Sequence, residues 1–383
     1  MKIKNSSVIL KTVAGMFALL LSGTSLSGAV YASETQKPSI SAKSAVLIEA
    51  DSGEIVFEKN AEEKLPMAST TKIMTALVAL EHGDMEKNVE VSDGAVGIEG
   101  SSIYLKCGEV ILMRDLVYGL MLESANDAAA AIAYEISGGI EEFACLMNET
   151  AEKLGLENTH FTNPHGLDDE SHYTTASDLA SLTAAALRNN EFREIVSTYK
   201  KTIPLNGDEG TRLLLNHNKL LKTYENAIGV KTGFTKRSGR CLVSAAEQNG
   251  VTMIAVTLNA PDDWNDHKAM LDYGFSKFER VVVAEPHGVF VDLPCIGGTK
   301  SVVRCSNTDG LELTLEKGAR VVTRIEADRY FPAPVKVGDA LAKAVFYVNG
   351  EVVGTLPLYA EHDVQCDEKE LSLFERILHF LGR

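Results

Sequence analysis

Apolar residues along this chain alternate first, then follow a helical period, then alternate again, which predicts an α/β fold. Residues 44–50 and 55–58 read as two strands of a hairpin around the turn 51–54. From residue 67 to 80 the apolar positions share one helical face. Four later segments follow the helical period, namely 114–122, 127–137, 142–154 and 176–187. Three more alternate as strands, namely 229–235, 240–246 and 252–258. Helices between two groups of strands predict a mixed sheet with a helical subdomain.

Beyond residue 278 the pattern consists of short alternating runs, which predicts a separate all-β domain. The pairs Asp309-Gly310 and Asn349-Gly350 lie between such runs and are typical of two-residue hairpin turns. We therefore predict a domain of helices and strands at residues 40–278 and a small β domain at residues 279–360. A chain of 383 residues is long enough for two such cores.

The two ends of the chain have patterns of their own. Three lysines, an apolar stretch at residues 13–21 and small residues before position 33 predict a signal peptide at residues 1–32, followed by a linker at 33–39. A retained membrane helix is the alternative, but the apolar stretch is shorter than the ~20 residues of a membrane span. At residues 361–383 a linker precedes apolar residues at helical spacing. We expect an amphipathic helix there that lies on a membrane surface; packing against the protein itself is the alternative.

Charge and cysteine usage exclude several classes of protein. The net charge is −16, and removal of residues 1–32 takes away three lysines and no acidic residue, which leaves −19. Such a surface does not favour nucleic acid. The six cysteines and nine histidines lack metal-ligand spacing, so we predict neither a metal site nor a cofactor. Export would permit disulfides, and Cys295 and Cys305 are the best candidate pair.

Candidate chemistry lies in three short strings in one predicted domain. In the first, Ser69 and Lys72 are three residues apart, which places both side chains on one face of a helix. A serine hydroxyl needs a base within hydrogen-bond reach, and a lysine can be that base if burial or a nearby like charge removes its proton. An ordinary capped helix with a solvated lysine is the alternative for this string alone.

The second and third strings are Ser124-Ala125-Asn126 and Lys231-Thr232-Gly233. The second falls in a loop between two predicted helices, and the third lies on an apolar strand. A helix cap and an exposed strand end are the plain alternatives for each. The occurrence of all three strings in this order argues against those alternatives. Lys231 could also supply the second positive charge that lowers the pKa of Lys72.

Together the strings resemble the active-site motifs of penicillin-binding proteins and class A β-lactamases. Their flanks are closer to the low-molecular-weight penicillin-binding proteins that are D-alanyl-D-alanine carboxypeptidases, in serine peptidase family S11. The blocks that carry this resemblance are residues 66–77, 124–128, 163–167 and 229–235. The resemblance covers about residues 40–360 and implies the β-lactamase/transpeptidase-like fold with a small β domain.

The resemblance also implies a role for each matching residue. Ser69 would be acylated, with Lys72 as its base, and Ser124 would relay a proton. Asn126 would bind the peptide amide of the substrate, and Lys231 and Thr232 would bind its terminal carboxylate. The N–H groups of Ser69 and Phe234, the latter next to Gly233, would form the oxyanion hole. Some members carry a further substrate-binding arginine, whereas His217 stands in the corresponding stretch here.

We therefore expect an exported serine carboxypeptidase at the extracytoplasmic face of the cell membrane or in the cell wall, acting on peptidoglycan stem peptides and inhibited by β-lactams. A DD-endopeptidase is the nearer alternative. A β-lactamase is disfavoured because no Glu-x-x-Leu-Asn string lies between the second and third motifs, and an α/β-hydrolase because the predicted mature chain lacks Gly-x-Ser-x-Gly. A non-enzymatic cell-wall scaffold is the remaining hypothesis.

Overall fold

The structure is a computed structural model that describes residues 36–205 and 210–367. The predicted signal peptide and the predicted C-terminal helix lie outside these residues. The helices of the described part are α1 Lys72–His82, α2 Met113–Leu122, α3 Asn126–Ser137, α4 Ile140–Lys153, α5 Ala176–Leu187, α6 Asn190–Ser197, α7 Leu220–Thr223 and α8 Asp263–Lys277. Among the described residues, no helix has the length and apolar character that crossing a bilayer requires.

The strands of the described part form one large sheet before residue 278 and another after it. In chain order they are β1 Ser44–Glu49, β2 Ile55–Lys59, β3 Asn88–Glu90, β4 Val110–Leu112, β5 Lys200–Pro204, β6 Thr211–Leu215, β7 Ala227–Thr235, β8 Gly239–Gln248, β9 Val251–Leu258, β10 Phe278–Ala284, β11 Phe290–Ile296, β12 Val302–Ser306, β13 Leu311–Glu316, β14 Val321–Ala327, β15 Phe331–Pro332, β16 Ala340–Val348 and β17 Glu351–Ala360.

The first sheet has five strands in the order β2-β1-β9-β8-β7. All of its neighbouring pairs are antiparallel, so the expectation of a mixed sheet is wrong for the strand directions of this sheet. Strand β7, which carries the third motif, is an edge strand. One of its edges is therefore unpaired within the sheet and is available to line a cleft.

Both faces of this sheet are buried, and the alternation of side chains divides them between two cores. Val46 and Ile48 of β1 face the helical subdomain, whereas Ala45 and Leu47 face the core that includes residues of α8. All six residues of β1 are buried. Because neither face contacts water, the strand is almost continuously apolar in sequence. The α/β class predicted from the sequence is confirmed.

Helix α1 lies at the centre of the helical subdomain. Its first eight residues, from Lys72 to Ala79, are all buried, so it is enclosed on every side. The sequence had indicated one apolar face. Nearby, Thr175 caps the start of α5, since its side chain accepts a hydrogen bond from the Asp178 N–H at 3.1 Å.

Helix α8 was not predicted, because polar groups occupy part of its buried side. The imidazole of His267 contacts the Thr257 hydroxyl at 2.9 Å and the Ser244 hydroxyl at 2.5 Å. Asp266 accepts hydrogen bonds from the backbone N–H groups of Ser41 and Ala42. These partners satisfy the buried polar atoms, but in the sequence the same residues interrupt the apolar period.

Two predictions for the β domain differ in outcome. Asn349-Gly350 connects the paired strands β16 and β17, as predicted. Asp309-Gly310 does not close a hairpin, because β12 pairs with β11 and β17 whereas β13 pairs with β10. The buried Asn307 side chain donates to the carbonyls of Glu285 and Asp309. These bonds direct the chain away from β12.

The proposed disulfide between Cys295 and Cys305 is wrong, and all six cysteines are free. In the antiparallel pair β11 and β12, Cys305 lies opposite Val291 rather than Cys295. Cys295 is four positions beyond Val291 on β11, a distance of roughly 13 Å along the strand. A disulfide needs Cα atoms within about 7 Å.

Candidate active site

The nucleophile candidate lies in a short 3₁₀ turn, Ala68–Thr71, directly before α1. The sequence predicted the first turn of an α-helix, so the structure moves Ser69 just outside it. Ala68 has a φ of 48°, in the left-handed region that residues with a side chain seldom occupy. Such strain near a candidate nucleophile is typical of functional sites.

Lys72 begins α1, and its amine contacts three oxygen atoms. Its Nζ lies 2.7 Å from Asn126 Oδ1, 2.5 Å from the His165 carbonyl oxygen and 3.2 Å from Ser69 Oγ. A neutral amine has two N–H groups and one lone pair. If the two carbonyl oxygens accept the N–H groups, the lone pair is left to accept the Ser69 hydroxyl proton.

The electrostatic surroundings of Lys72 favour that neutral amine. The side chain is fully buried, with 0% exposure. Burial, and secondly the positive charge of Lys231, hold the pKa of Lys72 well below its usual value, while Asp127 opposes them. This is the pairing of lysines that the sequence indicated.

The second motif forms the loop between α2 and α3. Ser124 adopts a φ of 60°, and Asn126 begins α3 with its Nδ2 donating to the Glu99 carbonyl at 2.5 Å. The next residue, Asp127, accepts hydrogen bonds from the backbone N–H groups of Ile103 and Leu105. These bonds fix the loop to the segment that forms the rim of the cleft.

The third motif lies on the edge strand β7. Lys231 is only 2% exposed, and burial lowers its pKa to about 7. Its Nζ contacts the Thr232 carbonyl oxygen at 3.0 Å. A Cβ atom added to Gly233 would lie 3.1 Å from the Ser69 backbone nitrogen. Glycine therefore lets β7 approach the nucleophile turn closely.

A cleft of about 350 Å³ joins the three motifs. Of the predicted residues, five line it: Ser69, Ser124, Thr232, Gly233 and Phe234. The other three, Lys72, Asn126 and Lys231, are buried. The structure thus brings all eight predicted residues to one place, five of them on the surface of the cleft and three buried.

Several residues of the cleft were missed by the sequence reasoning. Lys219, Arg240, Asp263 and Trp264 line it together with His217. Arg240 donates to Asp263 at 2.9 Å. A charged residue at the start of the apolar strand β8 was a signal for Arg240. The other three carried none, because only the tertiary fold brings α7 and α8 to this cleft.

The block at residues 163–167 acts on the site through its backbone. The His165 carbonyl accepts from Lys72, and the Pro164 carbonyl accepts from the Thr75 hydroxyl at 2.6 Å. Asn163 Oδ1 in turn accepts from the N–H of Gly166 at 2.7 Å. Burial, and secondly the charge of Lys72, lower the pKa of His165 to about 3. The imidazole is thus neutral near neutral pH.

The fold and the cleft define a serine acyl-transfer enzyme. Comparisons with known proteins support this class. The sequence model of a family described as D-alanyl-D-alanine carboxypeptidase matches residues 31–262, and one described as penicillin-binding protein 5, C-terminal domain matches residues 281–366.

Individual relatives resemble the chain over most of its length. D-alanyl-D-alanine carboxypeptidase DacF of Bacillus subtilis is 34% identical, over 85% of this chain and 86% of the relative. DacC of Escherichia coli is 32% identical, over 90% and 89%. The crystal structure of penicillin-binding protein 5 from Haemophilus influenzae has a TM-score of 0.68 at 30% identity, covering 86% of this chain and 99% of that one.

The chain belongs to the D-alanyl-D-alanine carboxypeptidase family of low-molecular-weight penicillin-binding proteins, serine peptidase family S11. It is a serine-type hydrolase with D-alanyl-D-alanine carboxypeptidase activity. The endopeptidase, β-lactamase and scaffold hypotheses are not favoured.

Proposed function

We propose that the enzyme removes the terminal D-alanine from peptidoglycan stem pentapeptides through an acyl-enzyme on Ser69. The observation that carries this proposal is the buried Lys72 amine, held by two carbonyl oxygens and 3.2 Å from Ser69 Oγ. This arrangement supplies a base at the hydroxyl that must lose its proton.

In the acylation step, Ser69 Oγ attacks the carbonyl carbon of the penultimate D-alanine and passes its proton to Lys72 Nζ. The oxyanion accepts hydrogen bonds from the N–H groups of Ser69 and Phe234. When the tetrahedral intermediate collapses, its C–N bond breaks. Ser124 relays the proton to the leaving nitrogen, and D-alanine departs.

Deacylation reverses these roles with water as the nucleophile. Lys72 takes a proton from the water as the water oxygen attacks the ester carbon. When the C–O bond to Ser69 breaks, Lys72 returns this proton to Ser69 Oγ, which restores the hydroxyl and the neutral amine. Asn126 holds the Lys72 amine during this step, since its Oδ1 accepts a hydrogen bond from Lys72 Nζ at 2.7 Å. The second lone pair of that oxygen can accept the peptide N–H of the substrate.

The proposed β-lactam complex follows from the same chemistry. The β-lactam carbonyl would acylate Ser69 as the substrate does, with cleavage of the ring amide. The chain lacks the Glu-x-x-Leu-Asn string of class A β-lactamases between the second and third motifs, whose glutamate activates the deacylating water. We therefore expect the penicilloyl ester to be long-lived.

The test of the proposed function is mass spectrometry of the products from a stem pentapeptide. We expect the tetrapeptide and free D-alanine, with loss of one residue only. A cross-linked peptide dimer in a parallel reaction reports endopeptidase activity. Release of monomers from the dimer without trimming of the pentapeptide, or rapid steady-state hydrolysis of benzylpenicillin, would contradict the proposal.

The terminal carboxylate is the group that positive charge at the cleft would recognise. Lys231 and Thr232 are the motif residues for this contact. Arg240 lies on the lining of the same cleft, and its guanidinium is oriented by Asp263, whose side chain is 4% exposed. Lys219 adds a second cation near Trp264, with Nζ 5.9 Å from the ring centre. We propose that Arg240 assists carboxylate binding.

Replacing Arg240 with glutamine is expected to lower kcat/KM for the pentapeptide by about 10-fold, mainly through KM. Hydrogen bonds to charged groups contribute about 1.5–3 kcal/mol, and the partial exposure of Arg240 places the effect at the lower limit. Steady-state kinetics on the pentapeptide and on its C-terminal amide measure the effect. The exposed Arg237, in the turn after β7, provides the control Arg237→Gln. Equal losses on the acid and the amide would contradict a carboxylate contact.

We further propose that the protein is exported by a signal peptide at residues 1–32 and held at the membrane by the C-terminal segment. The support is the sequence pattern at both ends, which lies outside the described residues. The last described residue, Asp367, donates its backbone N–H to the Gly297 carbonyl at 2.8 Å. The folded part is therefore held together up to the start of that segment.

Truncation after Cys366 is expected to release the enzyme from membranes and to leave its activity unchanged. An amphipathic helix binds in proportion to its buried apolar area, and truncation removes that area. Fractionation of cells that produce the full and the truncated chain, with penicillin labelling of each fraction, measures both properties. An unchanged share of truncated enzyme in the membrane fraction would refute the proposal.

A further inference from the structure

The peptide bond between Ala68 and Ser69 carries one of the two proposed oxyanion donors. Its N–H belongs to Ser69, and its carbonyl oxygen belongs to Ala68. Both groups lie in one plane and point in opposite directions. Any contact that fixes the Ala68 carbonyl therefore fixes the direction of the Ser69 N–H. Because Ala68 is held at a φ of 48°, this peptide needs outside support to keep its orientation.

A chain of hydrogen bonds from a separate part of the fold ends at that carbonyl. The backbone N–H of Thr162 donates to His172 Nδ1 at 3.0 Å. His172 Nε2 lies 2.7 Å from Thr71 Oγ1. Thr71 Oγ1 lies 2.7 Å from the Ala68 oxygen. Three successive contacts thus connect the backbone at Thr162 with the nucleophile turn.

The direction of each bond follows from its donors and acceptors. A backbone amide can only donate, so His172 Nδ1 is an acceptor and the imidazole carries its hydrogen on Nε2. His172 therefore donates to the Thr71 hydroxyl. A carbonyl can only accept, so the Thr71 hydrogen is directed to the Ala68 oxygen. All three hydrogen bonds therefore run in one direction, from Thr162 towards the Ala68 carbonyl.

Burial keeps this series of hydrogen bonds in one protonation state. Thr71 is fully buried and His172 is 3% exposed. Burial lowers the pKa of His172 to about 4; Asp169 opposes this effect, whereas His160 and Lys72 add to it. Near neutral pH the imidazole is neutral and has a single tautomer.

Gly166 encloses the same carbonyl from another side. A Cβ atom at this glycine would lie 2.0 Å from the Ala68 oxygen and 2.9 Å from Thr71 Oγ1. The φ of Gly166 is 87°, which also favours glycine. The Ala68 carbonyl is thus confined between backbone on one side and the Thr71 hydroxyl on the other.

We propose that His172 and Thr71 are positioning residues that aim the Ser69 N–H into the oxyanion hole through the Ala68 carbonyl. The hydrogen bond at the carbonyl also polarises the peptide, which makes its N–H a stronger donor. This inference rests on the proposed acylation of Ser69. Removal of a whole oxyanion donor costs about 10²–10³-fold in rate, and a misdirected donor loses part of that factor.

Thr71 offers a matched pair of variants. Thr71→Val removes the hydroxyl and keeps the shape, whereas Thr71→Ser keeps the hydroxyl. We expect Thr71→Val to lower the rate of Ser69 acylation by benzylpenicillin by about 10–100-fold, and Thr71→Ser to stay within roughly threefold of wild type. Stopped-flow or quenched-flow measurement of the penicilloyl enzyme gives the rates.

A boronic acid analogue of D-alanine separates orientation of the donor from a general structural effect. Ser69 Oγ adds to the boron and forms a tetrahedral anion, one oxygen of which occupies the oxyanion hole. We expect Thr71→Val to weaken boronate binding by about the same factor as acylation. Non-covalent binding of the pentapeptide to a Ser69→Ala background should not change.

The outcomes separate this inference from the function on which it rests. If wild type forms no adduct on Ser69, the proposed function fails. If wild type is acylated and folded Thr71→Val is acylated equally fast, or loses acylation but not boronate affinity, the inference is overturned.

His172 supplies a second pair in case Thr71→Val does not fold. His172→Gln can keep a donor near the position of Nε2, whereas His172→Asn places its amide near Nδ1 and leaves Thr71 without a donor. We expect the asparagine variant to lose about tenfold in both assays and the glutamine variant to recover part of it. Equal behaviour of the two variants would overturn the inference.

Discussion

The Ser69→Ala variant is expected to fold, to bind the stem peptide and to form no covalent adduct with benzylpenicillin. Three serine side chains line the cleft, those of Ser69, Ser101 and Ser124. Ser69 is the one whose Oγ lies 3.2 Å from the Lys72 amine. Loss of the nucleophile removes covalent catalysis, which in serine hydrolases is worth about 10⁶-fold in turnover.

Intact-protein mass spectrometry and peptide mapping of the penicilloyl adduct measure this result. Ser101→Ala is the matched control, because it removes an exposed hydroxyl from the rim of the same cleft. It should be labelled like wild type. An adduct that persists in Ser69→Ala, or one that maps to Ser124, would show that the nucleophile has been assigned wrongly.

Lys72→Met is expected to lower the acylation rate by about 10⁴-fold, the upper range for a general base. Methionine fills the volume of the lysine stem but cannot accept the Ser69 proton. It also leaves Asn126 Oδ1 and the His165 carbonyl without their donor, which should reduce the free energy of unfolding by about 1–3 kcal/mol. Thermal unfolding is therefore measured beside penicillin labelling. The exposed Lys236 gives the control Lys236→Met, which should behave as wild type.

The pH dependence of wild type provides a second measurement of the same base. The pKa of Lys72 is lowered, so the neutral amine accumulates as pH rises, and acylation should increase through a pKa well below that of free lysine. Burial lowers the pKa of Lys231 to about 7, and in the proposed complex Lys231 binds the carboxylate as a cation. We therefore expect kcat/KM for the pentapeptide to fall above about pH 7, as Lys231 of the free enzyme loses its proton. The kcat should not fall there, because the bound carboxylate stabilises the positive charge of Lys231. A flat profile of acylation from acidic to alkaline pH would contradict Lys72 as the base.

Local pattern was sufficient for most of the elements around the site. The hairpin β1-β2, the helices α2 to α5 and the strands β7 to β9 were predicted to within about two residues. In these elements the spacing of apolar residues along the sequence follows directly from which faces of the helix or strand are buried. Helix α8 was missed because Asp266 and His267 are buried with polar partners. The Asp309-Gly310 turn was misassigned because pairing partners in a sheet are chosen over long distances in the chain.

The eight predicted site residues, which the structure brings to one cleft, could be selected from the sequence because their strings have a recognisable order and spacing. Arg240 and His172 were not predicted, for a different reason. Each acts beside a residue remote in sequence, Arg240 beside Asp263 and His172 beside Thr71. The charged residue at the start of β8 marks Arg240 as unusual in sequence, but only the packing of α8 against the cleft shows that it faces Asp263.

The sequence by itself determined the class of fold, the order of the three motifs and the residue types that acyl transfer requires. These depend on side-chain periodicity and on chemical identity, both of which are local properties. Only the tertiary structure decided that Lys72 is buried beside Lys231, that carbonyl oxygens occupy its N–H groups, and that His172 acts on the nucleophile turn through Thr71. Desolvation and hydrogen-bond direction depend on which distant segments come together, and packing of the whole chain sets those contacts.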